Sequence, residues 1–195
     1  MSASSLPDPT VADPVQTTLA SLPLSRYSSQ LKQTATQTAW AMAWLAEAPT
    51  DLPPAAHVAL LAAAAALFFN MRDQLAYETM AQKGWIAHWG LSVRHLPTLN
   101  QLIALINSKQ SAADSPHTVA CLACLKELDE SLLGVPNFRT FRDRLIQHGV
   151  TTQPLDTNTP FPSDPMDLAP VRQEALSGWQ RLCSWMQHAA EIPAP

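Results

Sequence analysis

The sequence predicts an all-α protein, an antiparallel bundle of about five helices around a central helix at residues 53–83. Three observations carry this prediction. Five glycines stand against 17 prolines, and so few glycines leave little material for the turns of a β-protein. The prolines fall mostly outside the periodic segments. Inside those segments apolar residues recur at steps of three and four, the period of a helix face.

The central helix is read from PAAHVALLAAAAALFFNMRDQLAYETMAQ. Asp51 is the expected N-cap, with Pro53 and Pro54 in the first turn, where a missing N–H costs nothing. Ala62 to Ala66 is an unbroken alanine run, and alanine is the best helix former. Gly84 is the expected stop. The large residues between Val58 and Phe69 cover more than one face, so this first half is expected to be surrounded by other helices. After Asn70 the pattern becomes amphipathic, and one side only is expected to be buried. The unbroken apolar run is 12 residues, whereas a membrane span takes about 20. The expectation is therefore a core helix and no membrane.

The other elements follow in order. Residues 1–24, with prolines at 7, 9, 14 and 23, read as a disordered tail. Residues 25–190 read as one helical domain, and residues 191–195 as a second tail. The first helix is expected over 25–47, capped by Ser25, with Trp40 and Trp44 four apart on one face. Residues 85–97 read as a connection holding a short helical turn, in which Trp85 and Trp89 repeat the same spacing. A third helix is expected over 98–109. A fourth is expected from Ser115-Pro116, an N-cap followed by proline at the first helical position, to Leu133. Asn137 is the expected cap of a short helix running to His148. Residues 149–166 hold four prolines and read as an internal loop. Asp164 or Asp167 opens a last helix that ends near Ala190.

Composition limits the function. Charged residues make up 14% of the chain, well under the usual ~25%, which points to an uncharged surface or a patch that a partner covers. A net charge of −4 gives no general attraction to nucleic acid or anionic membrane. Three cysteines cannot complete a disulfide framework. The N-terminus lacks a basic region followed by an apolar one, so no secretory signal is expected and the expected location is cytoplasmic.

Two constellations bear on chemistry. Cys121 and Cys124 form a Cys-x-x-Cys pair with His117 four residues upstream. On a straight helix the steps to His117 rise about 6 and 10.5 Å, too far for one ion to take all three. No second pair completes four ligands, so no metal and no cofactor are expected, and the thiols read as core. The second constellation lies in Phe138–His148. Arg142 can hold a phosphate bidentately, and His148 can act as acid or base near neutral pH. Glycine-rich phosphate loops, Gly-x-Ser-x-Gly and His-Glu-x-x-His are absent from the sequence.

The stretch from Arg142 to His148 resembles the Arg-polar-x-His motif of the HEPN helical-bundle ribonucleases. That resemblance implies metal-independent RNA cleavage with Arg142 and His148 as catalytic residues, at a site formed across a dimer. In the family the motif sits on a long late helix; here the segment is short and a proline-rich loop follows. The order of an amphipathic helix from Arg26-Tyr27, an alanine-rich helix ending in Arg72-Asp73-Gln74-Leu75-Ala76 and a Trp-bearing last helix resembles an uncharacterised bacterial all-helical family. It implies a small bundle and brings no catalytic residues.

The leading expectation is a non-enzymatic protein acting through a protein partner, or as a homodimer, with Trp40, Trp44, Trp85 and Trp89 as contact residues. The alternatives are the HEPN-like ribonuclease, which alone would bind nucleic acid, and a binder of a small apolar ligand lined by Trp40, Trp44, Phe68 or Phe69.

Overall fold

The computed structural model describes residues 9–91, 95–109, 116–130, 135–147 and 167–195. Among these residues the fold is all-α, with eight helices and no strand. They are α1 (Pro9–Ser21), α2 (Ser29–Glu47), α3 (Pro54–Gln82), α4 (Trp85–His88), α5 (Leu99–Lys109), α6 (Pro116–Glu130), α7 (Pro136–Gln147) and α8 (Leu168–His188). Single 3-10 turns at Leu24–Arg26 and Ala189–Glu191 complete the set.

The long helix α3 is central: α2, α4, α5, α7 and α8 all pack on it. Its ends differ from expectation at one point. Asp51 is not the cap; the helix starts after Pro53 without a side-chain cap, because Pro54 supplies a first residue with no N–H to satisfy. At the other end Gly84 takes φ +85 just beyond Lys83, the left-handed conformation that ends helices and suits glycine.

The first helix of the domain begins four residues later than expected. Ser28, not Ser25, caps α2 by accepting the Leu31 N–H at 3.1 Å. Glu78 of α3 holds that cap in place, accepting the Ser28 backbone N–H at 2.9 Å and its hydroxyl at 2.5 Å. Close by, Tyr27 Oη meets Thr79 Oγ1 at 3.4 Å and Gln82 donates to the Arg26 carbonyl at 2.7 Å. These bonds set the start of α2 beside the end of α3, so the two run antiparallel.

Both expected tails are corrected where they are described. From Pro9 on, the N-terminal segment is helix α1, packed on α2. Val15, Leu19 and Leu22 repeat at helical spacing; Val15 and Leu22 are buried and Leu19 packs beside them. That apolar stripe outweighs the proline content. Residues 1–8 of the expected tail lie outside the described residues. The C-terminal segment is docked rather than free: Trp85 Nε1 donates to the Pro193 carbonyl at 2.8 Å, Lys83 Nζ to that of Ala190 at 2.7 Å, and Ile192 is buried. The expected loop at 149–166 falls outside the described residues.

The late helices close the core. Asp167 caps α8 by accepting the Ala169 N–H at 3.0 Å. Gly178 allows α8 close to α3, since a Cβ there would stand 3.3 Å from Val135 Cγ1 and 3.4 Å from Phe68 Cζ. Phe68 meets Phe69 and Phe138 edge-on, with ring centroids at 5.2 and 5.5 Å. Phe68 and Phe138 are fully buried, and each such side chain contributes roughly 1.5–3 kcal/mol.

Candidate interaction face

The two halves of α3 are buried in the reverse of the expected order. The half after Asn70 is well covered: Met71, Arg72, Gln74, Leu75, Ala76, Thr79 and Met80 are all buried. The alanine-rich half is open along one side. Ala56, Ala59, Ala63 and Ala66 are exposed, at steps of three, four and three, which is the spacing of a helix–helix seam. Leu60 and Leu67 flank them half-buried, while Leu61, Ala64, Ala65 and Phe68 hold the opposite side in the core. Apolar content alone could not show which alanines face out.

Trp40 and Trp44 belong to the same outer surface. The antiparallel bonds at Ser28 and Glu78 place the second half of α2 beside the first half of α3. Both helices also pack on α8, so the sides they turn away from α8 form one outer face. Trp44 is 49% exposed on that side of α2, with the Trp40 ring tilted against it at 6.1 Å. No Asp, Glu, Lys or Arg occurs from Gln33 to Ala46 or from Leu52 to Met71. The two stretches therefore carry no formal charge, while Gln33, Gln37 and Asn70 within them are exposed.

By length and composition α3 is also able to cross a membrane. Its most apolar 18 residues have a mean hydropathy of 1.6, and 33% of them are buried in the fold.

The other expected contact residues behave differently. Trp85 is fully buried and spends its N–H on the C-terminal segment; Trp89 stacks on it at 4.5 Å. Trp85 thus fastens the C-terminal segment. Phe68 and Phe69 lie buried in the core, edge-on to each other.

Arg142 sits on α7 with its guanidinium carbon 4.1 Å from the centroid of the Phe69 ring. Its Nε and Nη2 donate to Asp143 at 2.8 and 2.5 Å. Arg72 lies over the same ring at 5.2 Å. Burial pushes the Arg72 guanidinium below the usual arginine value, the charge on Asp73 opposes this, and Arg142 lowers it further. The nearby Asp129 Oδ1 is buried without a hydrogen-bond partner among the described residues. The arginine is thus part of an ion-pair and ring cluster between α3 and α7. His148 lies outside the described residues, so the expected Arg142–His148 pair has one placed member.

Of the cysteines Cys121 is buried in the core, and Cys124 and Cys183 are half-buried against it. Cys121 Sγ lies 3.2 Å from Met80 Sδ, while His117 Nδ1 faces the Ala194 carbonyl at 3.1 Å. Burial pushes the Cys121 and Cys183 thiols up to about 12, and burial with the Glu127 charge pushes Cys124 up to about 11. Among the described residues no three His, Cys, Asp or Glu side chains come together as a metal would need.

No family model, curated protein or solved structure matches this chain.

Proposed function

We propose that this is a non-enzymatic interaction protein whose α2/α3 face seats an apolar helix of a protein partner, and that a second copy of the chain is the partner the face fits. The observation that carries this reading is the combination of exposed Trp44 with the alanine seam of α3 on a surface without formal charge. Exposed aromatic anchors and charge-depleted centres are the compositional marks of interfaces.

A second copy fits for two reasons. Alanines at a/d-like steps let two α3 helices approach closely about a two-fold axis, with each Trp44 at the edge of the other seam. An uncharged face also pairs with itself without the repulsion that a net charge of −4 would otherwise impose. A membrane surface fits less well, because interfacial helices carry Lys and Arg around their apolar face, and both helical stretches here have none.

Sedimentation of the full chain across micromolar concentrations tests the reading. Wild type is expected to dimerise. Ala63→Glu and Trp44→Glu are expected to raise the dissociation constant about 100-fold, roughly 2.7 kcal/mol, with helicity and melting temperature unchanged. A monomeric wild type at every concentration overturns the proposal, and a monomer that floats with phosphatidylcholine vesicles replaces it with a membrane reading.

A further inference from the structure

On the opposite flank of α2 from Trp40 and Trp44, helices α1, α2 and α8 enclose a groove of about 510 Å³. We propose that it binds a neutral single-chain amphiphile, a molecule with one alkyl chain and an uncharged hydroxyl or amide head. This inference is independent of the α2/α3 face.

The space has a local cause. Ala39, Ala43 and Ala46 line it from α2; larger side chains at these positions would fill it. The facing walls are Val15 from α1 and Trp179 and Cys183 from α8, with Met42 between. An engineered apolar cavity of about 150 Å³ accepts benzene, so this groove accommodates a considerably longer molecule. Its size lies in the ordinary range of small-ligand sites, about 300–1,000 Å³.

The shape and polarity set the ligand class. On α8 the lining runs from Leu176 to Gln187, a rise of about 16 Å, so the groove is long rather than round. One end is apolar, with Leu176 and Ala46, and is fixed by Arg172 Nη2 donating to the Ala46 carbonyl at 2.9 Å. The other end gathers Thr18, Ser184 and Gln187, and Gln187 reaches the Ser21 carbonyl there at 3.5 Å. None of the 13 lining residues is charged or a histidine. An alkyl chain therefore finds apolar walls along its length and polar partners for its head. At the end formed by Thr18, Ser184 and Gln187 a carboxylate head would shed water without meeting a cation among the lining residues, a cost that a neutral head does not bear.

The test titrates 1-decanol and decanoate into the full chain by calorimetry at pH 8. Decanol is expected to bind one-to-one, at least 10-fold tighter than decanoate. Ala43→Phe fills the middle of the groove and is expected to weaken decanol at least 10-fold. Ser184→Leu, at an exposed position beside the polar end, is expected to weaken decanol at least 3-fold and serves as the deciding variant if Ala43→Phe does not fold. Absence of saturable decanol binding overturns the site. Equal binding by wild type and the folded variants overturns its location, and decanoate binding as tightly as decanol overturns the neutral-head assignment.

Discussion

Glu174 on α8 caps α7 at Phe138: its Oε2 accepts the Phe138 backbone N–H at 2.9 Å, and its Oε1 accepts the Asn137 side-chain amide at 2.7 Å. The first N–H groups of a helix have no partner inside it, and a carboxylate there also meets the positive end of the helix dipole. The sequence offers Asn137 as the cap, but α7 begins one residue earlier, at Pro136, so Asn137 lies in the first turn and helps hold the capping glutamate. Glu174→Ala is expected to destabilise the protein by about 1–2 kcal/mol, read as a lower urea midpoint with an unchanged slope. Glu174→Gln keeps an acceptor and is expected to lose less. Identical midpoints for wild type and Glu174→Ala would show that water replaces the cap at no cost.

Two Arg-Asp pairs have the same local geometry and different surroundings, which separates their expected worth. Arg72 and Arg142 each donate from Nε and Nη2 to the next residue, at 2.8 and 2.5 Å in both pairs. The Arg72–Asp73 side chains are 5% and 14% exposed, those of Arg142–Asp143 23% and 45%. Asp73 also accepts the Leu99 N–H at 3.0 Å and so caps α5. Asp73→Ala strands a buried guanidinium and leaves the Leu99 N–H without its acceptor, while Thr98 and Gln101 still cap the helix, and is expected to cost about 3–5 kcal/mol. Asp143→Ala leaves a cation that water reaches, and is expected to cost about 0–1 kcal/mol. Urea denaturation of the two variants side by side checks the ranking, and equal losses would show that burial does not set it.

The helical fold is legible in the sequence because period and punctuation agree at most elements. Gly84 stops α3, Asp167 caps α8, and the leucine steps of α5 and α6 lie where the helices form. Capping across the chain is not legible: Ser28 outcompetes Ser25 because Glu78, fifty residues away, holds it. The open side of α3 is the larger miss. An alanine run scores as buried on hydropathy, yet alanine buries little area, and only the packing of α2, α7 and α8 decides which alanines are left outside. The α1/α2/α8 groove depends on α1, a helix that proline content disguises as a tail. Of the expected contact residues, Trp40 and Trp44 share a face, and Trp85 fastens the chain end instead.

The thiols make the fold sensitive to alkaline pH in a direction that can be stated. Cys121 and Cys183 rise from 9.0 to about 12 and Cys124 from 9.0 to about 11, chiefly through burial. The folded chain therefore holds protons that the unfolded chain releases, and unfolding gains from every thiol that ionises. The thiols leave stability untouched below about pH 9, the range in which they are protonated whether the chain is folded or not. Stability is expected to fall from there as pH rises towards the folded values. Tyr27, pushed up from 10.0 mainly by burial, adds a loss of the same sign at the upper end of this window. Melting temperature measured from pH 7 to 11 is expected to be level to about pH 9 and then to decline. Cys121→Ala with Cys183→Ala is expected to lower stability throughout while flattening that decline. The same protection shows in reactivity, because the thiolate is the nucleophile: an aromatic disulfide reagent at pH 8 is expected to modify the thiols readily in urea and very slowly in the native chain. Rapid native labelling, or a decline as steep without the two thiols, would place the alkaline sensitivity elsewhere.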